Sequence, residues 1–268
     1  MNNQSPKGNR IAKVLSRAGI SSRREAEKII LAGRVKVNGK TLISPAINVL
    51  DSDIILVDGD PIAKPDEERL WCFHKPAGSI TTAKDNKNRK TIYDYFPSYL
   101  PRVMPVGRLD LNSEGLLLLT NSGELKRKLE LPSSELSRIY RVRVKGRPRE
   151  VSLELLRSGI SIDKESFRPM KVSVDRQQGA NAWLTIELKE GKNREIRRAM
   201  SELGMQVNRL IRIEYGPFKL GNLKRGELVE INSKSIRRSL KTVNINFTKA
   251  NNKIRNQNKY SGVSRKVH

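Results

Sequence analysis

The chain holds 268 residues, enough for one large domain or two smaller ones, and its apolar content of 37% is that of a folded protein. Its 53 Lys and Arg against 28 Asp and Glu give a net charge of +25, an imbalance that repels itself unless it meets a polyanion, for which nucleic acid is the leading candidate. One cysteine, Cys72, excludes an intramolecular disulfide, two histidines make a zinc site unexpected, and no apolar run nears the roughly 18 residues of a membrane span, so we expect a cytoplasmic protein without signal segment, membrane association or metal.

After a polar start, Ile11, Val14, Leu15 and Ala18 recur at helical spacing up to Gly19. Ser21 or Ser22 then caps a second helix carrying Ala26, Ile29 and Ile30 as far as Gly33. Val35 to Val37 reads as a strand entering an Asn38-Gly39 turn, and a further strand over 53–57 closes the unit at Asp58-Gly59-Asp60. Residues 1–40 contain ten Lys and Arg and only two acids, Glu25 and Glu27. Arg10, Lys13, Arg17, Arg23, Arg24, Lys28, Arg34 and Lys36 therefore form a basic surface round a small core, which serves solubility at its simplest and phosphate contact at its most specific. Pro61, Pro65 and the acidic trio Asp66-Glu67-Glu68 are linker chemistry.

A second unit opens with the strand Leu70 to His74 and the rigid turn Lys75-Pro76-Ala77-Gly78. Residues 84–90 read as an exposed loop. In Gly107-Arg108-Leu109-Asp110-Leu111-Asn112-Ser113-Glu114-Gly115, a lone acid precedes the apolar run Leu116 to Leu119, which is too short for a buried helix. That pattern is a loop feeding a buried strand, with Asp110 at its edge. A carboxylate so placed can do chemistry, and it can equally cap a turn or pair with an arginine.

The helix Glu124 to Leu131 turns Leu125 and Leu129 inward and stops at Pro132. Tyr140, Val142 and Val144 then alternate with Arg141, Arg143 and Lys145, a strand with one buried and one cationic face. Downstream come a helix over 151–158, strand pieces round Gln177-Gln178-Gly179, and the strand Ala182 to Leu188. Ile196, Ala199, Met200 and Leu203 form the inward stripe of a helix stopped by Gly204, with Arg197 on the border of that stripe. Strands over 207–215 and 228–231 follow, and from Lys241 to His268 seven Lys and Arg with no acid make a basic tail.

The stretch "RIAKVLSRAGISSRREAEKIILAGRVKVNGK" resembles the small RNA-binding module named after the fourth protein of the small ribosomal subunit. Three later segments, "GRLDLNSEGLLLLTNSGEL", "RIYRVRVKG" and "EGKNREIRRAMSELGMQVNRLIRIEYGP", together resemble the pseudouridine synthases that modify ribosomal RNA. The resemblance implies an α+β protein: an RNA-binding module over 8–58, a linker over 59–69, and a catalytic domain over 70–232 built on a mixed, largely antiparallel sheet with flanking helices. A helix and disordered basic tail occupy 233–268. It makes Asp110 the catalytic carboxylate, Tyr140 the platform for the target base, and Arg197 the partner of the aspartate. Lys75, Arg108, Arg141 and Arg194 become RNA contacts. Asn112-Ser113 and Ser122 stand where relatives often carry Asp-Thr and Asp, and they keep turn-forming side chains.

The implied reaction needs no cofactor, and the chain has no phosphate-cradling Gly-Lys loop or dinucleotide fingerprint. It does need an ionised carboxylate, which either attacks the nucleoside or removes a sugar proton, and the sequence leaves both routes open. At about 4 Å and an effective dielectric of about 20, a carboxylate–guanidinium pair is worth on the order of 4 kcal/mol. The third segment is most similar to large-subunit enzymes, which implies one uridine of 23S rRNA as the target; a monomer is expected. A 16S target, a non-catalytic ribosome-assembly factor, and a glycosidase using Asp110 and Glu114 are the alternatives, the last opposed by a basic chain with 5% aromatics.

Overall fold

A computed structural model describes residues 8–64, 66–83 and 85–245, so residues 1–7 of the polar start, Pro65, Lys84 of the loop read over 84–90, and the tail from 246 lie outside the described residues. The first unit runs β1 (Asn9–Arg10), α1 (Ile11–Arg17), α2 (Arg23–Leu31), β2 (Val35–Val37), β3 (Lys40–Thr41), β4 (Asn48–Val49), β5 (Ile55–Val57) and β6 (Asp60–Pro61). Ser22 caps α2 by accepting from Glu25 N at 3.2 Å. Ile11, Leu15, Ala26, Ile30, Val35, Val49 and Ile55 close its core. Asn38 and Gly39 both take positive φ, as do Asp58 and Gly59, which lets these pairs turn β2 into β3 and β5 into β6.

Two features correct the sequence reading. Strand β1 pairs with β4, and two-residue strands carry no periodicity to detect. Asp60 and Pro61, read as linker, pair with β5, with the proline on the sheet edge where its missing N–H is harmless. Ile62 packs on the same core.

The second unit comprises β7 (Leu70–Lys75), a 3-10 turn over Ile92–Tyr95, β8 (Met104–Val106), β9 (Glu114–Thr120), α3 (Gly123–Glu130), a second 3-10 turn over Pro132–Ser134, β10 (Arg138–Lys145), α4 (Glu150–Ser158), β11 (Ile160–Ile162), β12 (Glu165–Phe167), β13 (Lys171–Gln178), β14 (Asn181–Leu188), α5 (Glu195–Glu202), β15 (Gln206–Tyr215), β16 (Phe218–Lys219), β17 (Leu228–Ile231) and α6 (Ser233–Lys241). The main sheet has the order β13-β14-β10-β15-β9-β7-β17, with β8 on β9 and β16 on β15. Its ladders are antiparallel except for β15 against β9.

All seven residues of β9 are buried, which is why it reads as a continuous apolar run rather than an alternation. Leu117 and Leu119 pack with Phe73, Trp71, Val142 and α5. Leu116 and Leu118 face the other way, onto Leu125 and Leu129 of α3 and Ile236 and Leu240 of α6. In β10 the alternation holds as read, with Tyr140, Val142 and Val144 buried and Arg141, Arg143 and Lys145 exposed. Among the described residues, no helix is long and apolar enough to cross a membrane.

Candidate active site

Strand β7 places Trp71, Phe73 and Lys75 on one buried face, and Lys75 is 0% exposed. Its Nζ donates to Asp110 O at 3.0 Å, Ser113 O at 2.8 Å and Pro76 O at 3.1 Å, with Leu111 O at 3.5 Å. Ser113 N also donates to Asp110 O at 3.0 Å, and Thr81 Oγ1 to Leu109 O at 2.9 Å. The loop ahead of β9 is thus fixed by its carbonyls, leaving the Asp110 carboxylate free. Burial lowers the Lys75 pKa to about 8, and Arg212 adds to this against the opposing charges of Asp110 and Glu114. The assignment of Lys75 as an RNA contact is therefore corrected: this ammonium is spent on the loop. Lys75→Met is expected to lower turnover at least tenfold while the salt dependence of RNA binding stays unchanged; a true phosphate contact would reduce that slope by about one.

The carboxylate of Asp110 is 39% exposed and lies 3.9 Å from Arg194 Nη1. Arg197, expected to be its partner, instead donates to Asn112 O at 3.0 Å and Val207 O at 3.1 Å, tying the loop to β15. The cause is local backbone: Arg194 takes a left-handed conformation (φ 50°) ahead of α5, whereas Arg197, inside the helix, meets the carbonyls of Asn112 and Val207. Burial lowers the Arg197 pKa, Arg194 adds to this, and Asp110 opposes it. An Arg194–Asp110 pair this open is worth no more than about 1 kcal/mol, well short of the figure the sequence suggested.

Asp110, Arg108, Tyr140 and Arg194 line one cleft of about 580 Å³, together with Lys126, Arg138, Lys192, Glu195, Leu210, Arg212 and Tyr215. A register row crosses its floor: Tyr140 opposes Arg212, Arg212 opposes Gly115, and Gly115 opposes Lys75. Arg212, only 2% exposed, donates from Nε to Leu116 O at 2.7 Å, and its Nη2 is buried without a protein acceptor. Sequence reading missed it, although the alternation of Leu210 and Arg212 in β15 marks it as inward.

Glu195 was also missed. It is buried and accepts from Lys192 N at 3.1 Å, and among the described residues no donor reaches its Oε1. Burial, then the neighbouring Glu190 carboxylate, raise its pKa from the ordinary 4.5 to about 8. The folded state thus keeps a proton that the unfolded chain releases, so this group's contribution to stability declines as pH rises from about 5 to 8. Glu195→Gln is expected to remove that decline, so that urea denaturation at pH 5 and 8 shows wild type losing more stability than the variant.

The remaining cations are dispersed. Arg10, Arg17, Arg23, Arg24 and Lys36 are exposed on the first unit, Lys13 donates to Asn9 Oδ1 at 2.9 Å, and Arg34 is engaged by both carboxylate oxygens of Asp58 at 2.7 and 2.6 Å. Arg141 lies across the sheet from Tyr140, 4.9 Å from the Trp183 ring and 3.7 Å from Asp175, so it does not share the cleft. Glu114, next to the loop, is held below the usual carboxylate range by Arg209 and Arg225 in spite of its burial; the contacts are 2.5 and 3.2 Å.

A basic helical module joined to a mixed sheet, with the loop ahead of β9 presenting the half-exposed Asp110 carboxylate to a cation-lined cleft, is the arrangement of an RNA-modifying enzyme. The RNA pseudouridylate synthase family matches residues 69–202, and the S4 domain matches 9–55. An RNA pseudouridine synthase of Rickettsia prowazekii is 48% identical over 231 residues, covering 86% of this chain and 97% of its own. Ribosomal large subunit pseudouridine synthase B of Bacillus subtilis is 37% identical over 232 residues, 85% of this chain and 94% of its own. A crystal structure of a pseudouridylate synthase superposes with a TM-score of 0.60 at 26% identity, covering 87% of this chain and 99% of its own. The chain belongs to the RNA pseudouridylate synthase family and is an isomerase.

Proposed function

We propose that the protein converts one uridine of 23S ribosomal RNA to pseudouridine, with Asp110 as the catalytic carboxylate and Tyr140 as the surface on which the extruded base stacks. The observation that carries this is the loop geometry: Asp110 is anchored through its main-chain carbonyl, and its carboxylate stands open in the cleft beside Arg194 and Tyr140. The large-subunit target is favoured by the names of the enzymes from Bacillus subtilis and Yersinia pestis, 37% and 39% identical to this chain.

Isomerisation breaks the N1–C1′ bond, turns the uracil and joins C5 to C1′. Extrusion of the base costs a few kcal/mol, which stacking on Tyr140 and phosphate contacts at Arg108, Arg194 and the basic module can offset. Arg197 then acts as a positioning residue, fixing the Asn112 carbonyl and so the turn that carries Asp110. Mapping pseudouridine across both ribosomal RNAs, in cells with and without the gene, tests the reading. One 23S site should disappear and return on complementation. Loss of a 16S site instead would reassign the substrate, and an unchanged map would end the proposal.

A further inference from the structure

Arg212 is the buried cation that neither the loop clamp nor the proposed role of Asp110 uses. Among the described residues no carboxylate pairs with it, its hydrogen bond runs from Nε to Leu116 O, its guanidinium lies 5.0 Å from the Tyr215 ring, and its Nη2 lacks an acceptor, while the residue lines the cleft of Asp110 and Tyr140. An enclosed guanidinium cannot shed its proton, so an oxygen entering the cleft meets a cation with hydrogen-bond donors to spare. Tyr140 is its direct antiparallel neighbour on the same face of the sheet, and the side chains of such neighbours start about 5 Å apart. A base lying over the Tyr140 ring therefore brings its edge to the guanidinium.

Resting on the function proposed above, we propose that Arg212 is a further catalytic residue: its free Nη groups receive a carbonyl oxygen of the extruded uracil and hold the negative charge that builds there as the base is detached. Each route open to Asp110 loads that oxygen. When the carboxylate displaces the base at C1′, the electron pair of the C1′–N1 bond leaves on N1 and spreads onto O2 and O4. When it removes the sugar proton at C2′, the base departs as the same anion. When it adds to C6, the pair of the C5–C6 double bond moves onto O4. In the closing half, C5 bonds to C1′ with a ring electron pair while Asp110 is set free by the reverse of its first step: it leaves C1′ as carboxylate, returns the proton to C2′, or leaves C6 with the C–O pair. The C5 proton then departs and N1 takes one up, so atoms and electrons balance. A fixed cation at the oxygen holds the charged base more strongly than the neutral one, which is what accelerates a step.

A phosphate beside the target nucleotide would also satisfy a guanidinium, and leaving-group chemistry separates the two. Transcripts of both ribosomal RNAs made with uridine or with 5-fluorouridine present the same phosphates, but the fluorinated uracil is the weaker base and departs with less help. Having no C5 proton to lose, it does not end as pseudouridine, so both reactions are read as loss of the starting nucleoside. Single-turnover consumption of the target nucleoside, read by nuclease digestion and mass spectrometry, is compared for wild type, Arg212→Gln and Arg212→Lys, per mole of protein that binds RNA. Arg212→Gln is expected to slow the uridine reaction about 10²- to 10³-fold and the 5-fluorouridine reaction less than about tenfold, with RNA affinity held within about threefold and Arg212→Lys intermediate. Equal slowing on both transcripts overturns the assignment, as does a loss confined to affinity with the salt slope reduced by about one, the mark of a phosphate contact. An inactive wild type would instead overturn the reading of the cleft itself.

Discussion

Asp110→Asn is expected to lower pseudouridine formation by about four orders of magnitude or more while leaving RNA affinity within a few fold. The two halves of this expectation have separate causes. The turn over residues 110–113 is held by Lys75 Nζ and Ser113 N through the Asp110 carbonyl, and the side chain meets Arg194 at 3.9 Å, so an amide of the same shape leaves the loop in place. The phosphate contacts proposed above, at Arg108, Arg194 and the basic module, are on other residues. The amide cannot act as the nucleophile or base, and every route to C–N cleavage considered above needs one. Primer extension across the target, on RNA treated to arrest at pseudouridine, reads the product, and a filter-binding isotherm reads the affinity. Retained turnover would remove Asp110 from the chemistry; lost binding would make it a substrate contact instead.

Gly115→Ala should be among the most damaging single-methyl changes in the chain, costing about 3 kcal/mol or more. Gly115 has φ +105°, a conformation closed to L side chains, and a Cβ there would lie 2.7 Å from Arg212 N and closer still to Arg212 O. Neither contact can be relieved by a rotamer change, because both atoms are backbone in the pairing of β15 with β9. Strain and displacement add. For a protein of this size the melting temperature should fall by roughly 6–12 °C, a drop calorimetry detects directly. A fall under about 2 °C would mean that the two strands separate without cost and that the floor of the cleft is softer than its register suggests.

The parts of the fold legible in the sequence are those where one chain segment dictates its own pattern. The stripes of α2, α3 and α5, the alternation of β10 and the doubly buried run of β9 are local consequences of spacing. Strands β1, β4 and β8 were not legible, since two or three residues pair only because distant segments meet them. The site divides in the same way. Asp110 at a loop–strand edge is visible in the sequence, whereas the destinations of its cations are not. Lys75 reads as an outward charge because lysine is usually exposed, and only the Trp71, Phe73, Lys75 alternation hints otherwise. The exchange of Arg197 for Arg194 beside Asp110 depends on one left-handed residue and two carbonyls, Asn112 and Val207, the first of them 85 residues away.

The small sheet of the first unit runs further than its sequence suggests, through Pro61 with Ile62 packed beneath. On the other side, Asn121 accepts from Arg69 N and donates to Glu67 O, both at 2.8 Å, which anchors the chain from Glu67 onward to the second unit. Along the sequence four residues, 63–66, separate the two anchored segments, and four residues span at most about 14 Å. An RNA segment held by the first unit is therefore confined near the cleft at an effective concentration of order millimolar. On the function proposed above, encounter becomes intramolecular, and the exposed arginines of the helical unit would raise occupancy of the cleft without touching the reacting bond. Thinning their charge should raise KM steeply and leave kcat nearly where it was.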